Sequence, residues 1–181
     1  MDLKYQSTTT LSRIRATGPC EDGWEKLLAH LGKTKADDEP LPLLTVLDSN
    51  GFDDALWVLS LAMTDDRLAR HFQAWCAEQV LYLFEDDRPN DTRVRDQIAM
   101  LRNDDATGEE RSAARAAARA AAWYSARAAA WSAARAAAGA AAGDAAGDAA
   151  WYSAGDAAWY SAGDAAWAAQ EKQLRKMIGG V

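Results

Sequence analysis

Trp24, Leu27, Leu28 and Leu31 recur at i, i+3, i+4 and i+7, the spacing that puts apolar side chains on one face of a helix. Gly18-Pro19 before this run and Gly32 after it mark its start and stop. A polar linker, Lys33 to Glu39, follows. Leu41 to Leu47 predicts a short second helix, closed by Asp48-Ser49-Asn50-Gly51, whose Asn and Gly suit the left-handed residue that ends a helix. Phe52, Leu56, Leu59 and Met63 restart the periodicity, with Asp53 and Asp54 in the first turn, where carboxylates favour the positive end of the helix dipole. Asp65-Asp66 opens the next helix, in which Leu68, Phe72, Trp75, Cys76, Val80 and Leu83 share a face until Pro89 forbids continuation. Asp91 reads as the cap of a fifth helix with Val94, Ile98 and Leu101 on its buried side. No segment alternates with period two over a useful length. The expected architecture is all-α: a polar N-terminal arm over residues 1–16, a compact multi-helix domain over 17–105, and a third region of different character over 106–181.

That third region is a tandem repeat. Trp123, Trp131, Trp151, Trp159 and Trp167 are separated by multiples of four, and Arg111, Arg115, Arg119, Arg127 and Arg135 fall in the same phase, as do Gly139, Gly143, Gly147, Gly155 and Gly163. The octapeptide Ala-Ala-Trp-Tyr-Ser-Ala-Gly-Asp occurs twice in succession, from Ala149 and from Ala157. Four residues advance an α-helix by about 400°, so a period-four stripe drifts by about 40° per repeat and spirals around a straight helix. Small residues at every fourth position let two helix backbones approach closely. The region is therefore expected to be an Ala-rich helical hairpin with a four- and eight-residue repeat, folded back near Gly143. Antiparallel pairing about that residue sets Trp123 opposite Gly163 and Trp131 opposite Gly155, and brings the Arg-bearing arm against the Asp-bearing arm. One continuous helix, or a hairpin made between two chains, uses the same pattern.

Composition sharpens this division. Of 42 Ala residues, 32 lie between Ala113 and Ala169, whereas 25 of the 28 Leu, Ile, Val and Phe residues fall within the first 106 positions. An ordinary apolar core therefore belongs to the N-terminal part of the 181-residue chain. Residues 1–105 carry 12 basic and 20 acidic groups, a net −8, and residues 106–181 carry 8 and 7, a net +1. This balance argues against direct nucleic-acid binding, which needs clustered Lys and Arg on phosphates. No long uncharged apolar run predicts a membrane span, and the polar start of the chain has no apolar signal core. Together with only two cysteines, Cys20 and Cys76, these features predict a cytoplasmic protein.

The residues with chemical potential have ordinary structural explanations. Asp37-Asp38, Asp53-Asp54, Asp65-Asp66, Asp86-Asp87 and Asp104-Asp105 each fall at a predicted helix boundary, where caps and dipole partners account for them. His30 and His71 are the general-base candidates, and each sits beside an apolar helix face. A zinc site would need Cys20, Cys76, His30 and His71 to converge. Phosphate-binding glycine loops and a Ser-centred nucleophile elbow are absent from the sequence. No enzyme, cofactor or metal is expected.

Asp22-Gly23-Trp24 through Leu27-Leu28, then Leu43-Leu44-Thr45-Val46-Leu47-Asp48-Ser49-Asn50-Gly51 and Asp53-Asp54-Ala55-Leu56-Trp57, resemble the bacterial and phage immunity protein family. Leu83-Phe84-Glu85, followed by Arg88-Pro89-Asn90-Asp91 and Arg93-Val94-Arg95, is similar to a second part of such proteins, among which Ala-rich tails with repeated Trp also occur. The resemblance implies a small protein that binds and neutralises a toxin or a defence effector. Inhibition of a host defence system by a phage protein, such as an anti-CRISPR, fits equally well. The expected partner is a protein with a basic surface, met by Asp37, Asp38, Glu39, Asp86 and Asp87 in polar breaks of the helical domain. Trp151, Tyr152, Trp159 and Tyr160 of the repeat are further partner-binding candidates, since Trp and Tyr are enriched at interaction hot spots. The alternative is a structural module that self-associates, as a homodimer, through the repeat.

Overall fold

A computed structural model describes residues 5–114, 116–117 and 165–179; within them, the side chains of Val80, Leu83 and Asp87 are outside the description. The hairpin expected around Gly143 lies outside the described residues. The described part is mostly helical and contains six named helices: α1 (Leu11–Ala16), α2 (Glu21–Leu31), α3 (Leu43–Asn50), α4 (Phe52–Leu61), α5 (Arg67–Asp87) and α6 (Arg93–Arg102). Residues 108–114, 116–117 and 165–177 are helical as well. The chain divides into two compact units, Met1–Phe72 with Glu171–Val181, and Gln73–Gln170.

In the first unit, α2 ends where the sequence predicts: Gly32 adopts the left-handed conformation, φ 64° and ψ 29°. Gly51, between α3 and α4, has φ 100° and ψ −177°, a region open to glycine rather than the left-handed helical cap expected there. Buried Leu43, Val46 and Leu47 form the inner stripe of α3, and Phe52, Ala55, Val58 and Leu59 that of α4. Phe52 meets Phe72 of α5 edge to face, ring centroids 6.4 Å apart.

Two features depart from the all-helical expectation. Thr8–Thr9 (β1) pairs antiparallel with Leu41–Pro42 (β2), Thr8 opposite Pro42 and Thr9 opposite Leu41. Two residues per strand leave no alternation for a sequence pattern to reveal. The segment 1–16, expected to be a polar arm, also carries α1, with Leu11 and Ile14 buried. Thr10 caps it by accepting from the Arg13 N–H at 3.2 Å, and the Ser12 N–H donates to the Asp37 carbonyl at 2.9 Å. Thr9 is itself buried, its hydroxyl donating to the Ala62 carbonyl at 2.5 Å. The segment is thus held at both backbone and side chain.

The second unit has a small core of Ala74, Ile98 and Leu101, flanked by Ala77, Leu81 and Val94. Glu78 pairs with Arg102 at 2.5 Å, and Glu85 pairs with Arg95. Thr92 rather than Asp91 occupies the cap position of α6, without a side-chain cap bond. Asp91 instead accepts from the Arg93 backbone N–H at 3.2 Å and its guanidinium at 2.5 Å, and the Arg93 guanidinium pulls its carboxyl down to about 2. The helix beginning at 108 opens with a capping box. Glu110 accepts from the Thr107 N–H at 2.7 Å while Thr107 Oγ1 accepts from the Glu110 N–H at 3.2 Å.

The last turns of the chain belong to the first unit. Leu174 is fully buried at 0% exposure and Ile178 is buried, and Arg175 donates to Asp48 at 2.5 Å and to Glu171 at 3.0 Å. The third sequence region, 106–181, therefore ends in core residues rather than in repeat. Leu174→Ala should lower stability by about 2–5 kcal/mol, the usual cost of emptying a fully buried leucine site. Denaturant unfolding measures it; a loss below about 1 kcal/mol would show that this residue has no core role.

Candidate functional site

Asn50 is the last residue of α3 and falls four residues after Val46 and three after Leu47, so its amide continues the buried stripe of that helix. Its Nδ2 donates to the Gly23 carbonyl of α2 and to Asp54 Oδ2 of α4, each at 2.7 Å. One side chain thereby uses both of its N–H donors on two neighbouring helices. Its Oδ1 accepts from the Ser49 hydroxyl at 2.7 Å.

The same junction accounts for a glycine in the first turn of α2. A Cβ on Gly23 would stand 2.9 Å from Asp54 Oδ2 and 3.0 Å from Cys20 Sγ. Glycine costs about 1 kcal/mol relative to alanine inside a helix, and the close approach of α2 to Asp54 is what that cost permits.

Beside the junction lies a cavity of about 290 Å³ within the first unit. Its wall combines Ile14, Pro19, Leu27, Val46 and Val58 with the indoles of Trp24 and Trp57, and its polar groups are Cys20, Asn50, Asp53 and Asp54. Among the described residues, the only charged side chains lining it are the two carboxylates. Trp24 is buried and Trp57 half-buried. Arg15 holds its guanidinium 5.3 Å from the Trp24 ring centroid and 3.8 Å from Glu21. Asp53 is exposed and makes no hydrogen bond or ion pair among the described residues.

The acidic residues singled out from the sequence do not form one cluster. Asp37 and Glu39 converge on Lys33, at 2.6 and 2.7 Å, and Asp37 also accepts from the Glu39 N–H at 3.2 Å. The Lys33 ammonium holds the Asp37 carboxyl below its ordinary range, and Asp37 and then Glu39 hold Lys33 above its own. Much of the charge of this linker is thus met locally. Asp38, between the two, is exposed and unpaired among the described residues. Asp86 and Asp87 lie in the last turn of α5 rather than in the loop beyond it, with Asp86 exposed. Trp151, Tyr152, Trp159 and Tyr160 lie outside the described residues.

The titratable candidates occupy separate places. His71 Nδ1 and the Tyr5 hydroxyl share a 2.9 Å hydrogen bond, their rings edge to face at 5.4 Å. His30 is exposed in the last turn of α2, and Cys20 is exposed. Cys76 is half-buried, and loss of hydration pushes its thiol pKa up. Among the described residues no group of three or more His, Cys, Asp or Glu side chains is placed to hold a metal ion. No helix among them is long and apolar enough to cross a membrane.

Comparison of the chain with protein-family models, curated proteins and solved structures finds no match. The cavity was not visible as a site in the sequence, although Gly23 within a helix and Asn50 on an apolar stripe are the signals that could have pointed to it. Gly23→Ala should destabilise the fold by about 1–2 kcal/mol, because moving Asp54 away from the new methyl group breaks its bond from Asn50. Thermal or denaturant unfolding decides it: stabilisation by the helix-propensity difference would contradict the close approach.

Proposed function

We propose that this chain is a non-enzymatic binding protein that neutralises a basic protein effector, in the manner of an immunity protein or of a phage inhibitor of host defence such as an anti-CRISPR protein. The observation that carries the reading is the placement of acidic side chains. Asp22 and Glu25 on α2, Asp38 in the linker, Asp53 on α4 and Asp86 on α5 all face solvent without an ion-pair partner among the described residues. Folding leaves these charges available, whereas it uses those of Asp37, Glu39 and Asp91 internally. Unpaired acids of one sign speed encounter with a basic partner and select against acidic ones. The resemblance of the α2 to α4 segments to immunity proteins supports the same assignment, as does the net −8 of residues 1–105.

The test is capture of the partner from the host, followed by association kinetics with the purified pair. Replacing both Asp38 and Asp86 with Lys should slow association about tenfold at low salt and flatten its dependence on ionic strength, because exposed charges act within a Debye length of about 8–10 Å at 0.1–0.15 M salt. Association that is unchanged by the reversal and indifferent to salt would overturn the reading. A variant lacking only residues 118–164 separates this role from self-association: the binding role predicts full partner affinity. Truncation after Gly108 would be the wrong tool, since it also removes buried Leu174 and Ile178.

A further inference from the structure

The cavity beside Asn50 has a chemistry narrower than the acidic surface around it. Its walls are hydrocarbon and indole, from Trp24, Trp57 and their aliphatic neighbours, so it favours an apolar shaft. Its charges are Asp53 and Asp54, and among the described residues no Lys or Arg lines it. The Asn50 amide is already committed to Gly23 and to Asp54. Asp53 is uncommitted among the described residues and exposed, hence available to a guest. A guest that satisfies both halves of the wall carries an aliphatic stem and ends in a cation that only donates hydrogen bonds. Arginine and lysine side chains have this form. The volume, about 290 Å³, lies at the lower edge of the roughly 300–1,000 Å³ of ligand clefts, a size for one long side chain rather than a folded element. Arg15 holds its guanidinium 5.3 Å from the Trp24 ring centroid, so one guanidinium–indole pairing already exists beside this wall and Trp57, half-buried, is the indole left for a guest.

We propose that this cavity receives a single basic side chain, arginine or lysine, presented by the protein partner, its stem against Trp24 and Trp57 and its charged end at Asp53 and Asp54. The proposal rests on the binding role above and specifies where the partner is anchored. A buried stem with a paired head is the form of an interface hot spot, which the scattered surface acids alone do not supply. The same site excludes a partner that offers a carboxylate there, because two carboxylates already line the wall.

The test uses blocked peptides with the full-length protein: acetyl-Gly-Arg-Gly-amide and its Lys counterpart, the neutral norleucine analogue, and free agmatine. Indole N–H resonances of Trp24 and Trp57, assigned through Trp24→Phe and Trp57→Phe, report occupancy. Saturable shifts of both resonances with the Arg or Lys peptide, absent with norleucine, are the expected result. Asp53→Asn should weaken that binding about three- to fivefold, the loss of one solvent-screened ion pair, whereas Asp86→Asn, whose side chain is not part of the cavity wall, should leave it unchanged. Equal binding of the norleucine peptide overturns the proposal by showing a merely apolar site. Binding of agmatine without the peptides overturns it in favour of a small-molecule site, and an absence of saturable shifts overturns it outright. If the peptides fail while Asp38 and Asp86 reversal still slows partner association, the acidic-surface role stands and the cavity assignment falls.

Discussion

The Asn50 side-chain amide is the point on which the first unit turns. A buried amide left without partners would cost about 1–3 kcal/mol, and the half-buried Asn50 amide carries part of that cost unless the fold brings acceptors to it. It does so from two different helices, the Gly23 carbonyl of α2 and the Asp54 carboxylate of α4. These bonds hold Asp54 where a Cβ at position 23 would stand 2.9 Å from its Oδ2, so glycine there leaves the carboxylate undisturbed. The cavity lies beside the same junction, with Trp24 and Trp57 and the first-turn carboxylates of α4 in its wall.

The second constraint is closure of the chain. The first unit takes its residues from Met1–Phe72 and again from Glu171–Val181, so the intervening sequence, repeat included, is an insertion between two parts of one core. Leu174 and Ile178 supply the apolar contact and Arg175 adds ion pairs to Asp48 and Glu171. The ion pairs are partly exposed and contribute little, and burial of the leucine is the larger effect. Changing the number of octapeptides leaves both segments of the unit intact.

Long amphipathic runs were legible from the sequence, and the reason is physical. In α2 and α3, and in α4 to α6, a periodic apolar face bounded by Gly, Pro or Asp leaves little alternative to a helix. The short elements were not legible, because β1, β2 and α1 depend on tertiary partners: Thr9 on the Ala62 carbonyl, and the first turn of α1 on the Asp37 carbonyl. Two further signals stand in the sequence. Thr107-Gly108-Glu109-Glu110 has the spacing of a capping box, and Leu174 and Ile178, with Val181, are the only Leu, Ile, Val or Phe residues after position 106. Leu174 and Ile178, following an Ala-rich segment, mark a return to the core. Of the candidate site, the acids were legible as residues but not as partners, since only the structure separates Asp37, held by Lys33, from Asp38, which is unpaired among the described residues.

Coupling between Asn50 and Asp54 is the quantity on which this organisation stands. A double-mutant cycle of Asn50→Ala and Asp54→Ala, read by denaturant unfolding of the full-length protein, measures it directly. If the amide holds α3 to α4, the two substitutions interact by about 0.5–3 kcal/mol. Additive effects, with each substitution costing the same whether or not the other is present, would mean that the two side chains are independent and that the junction does not organise the fold.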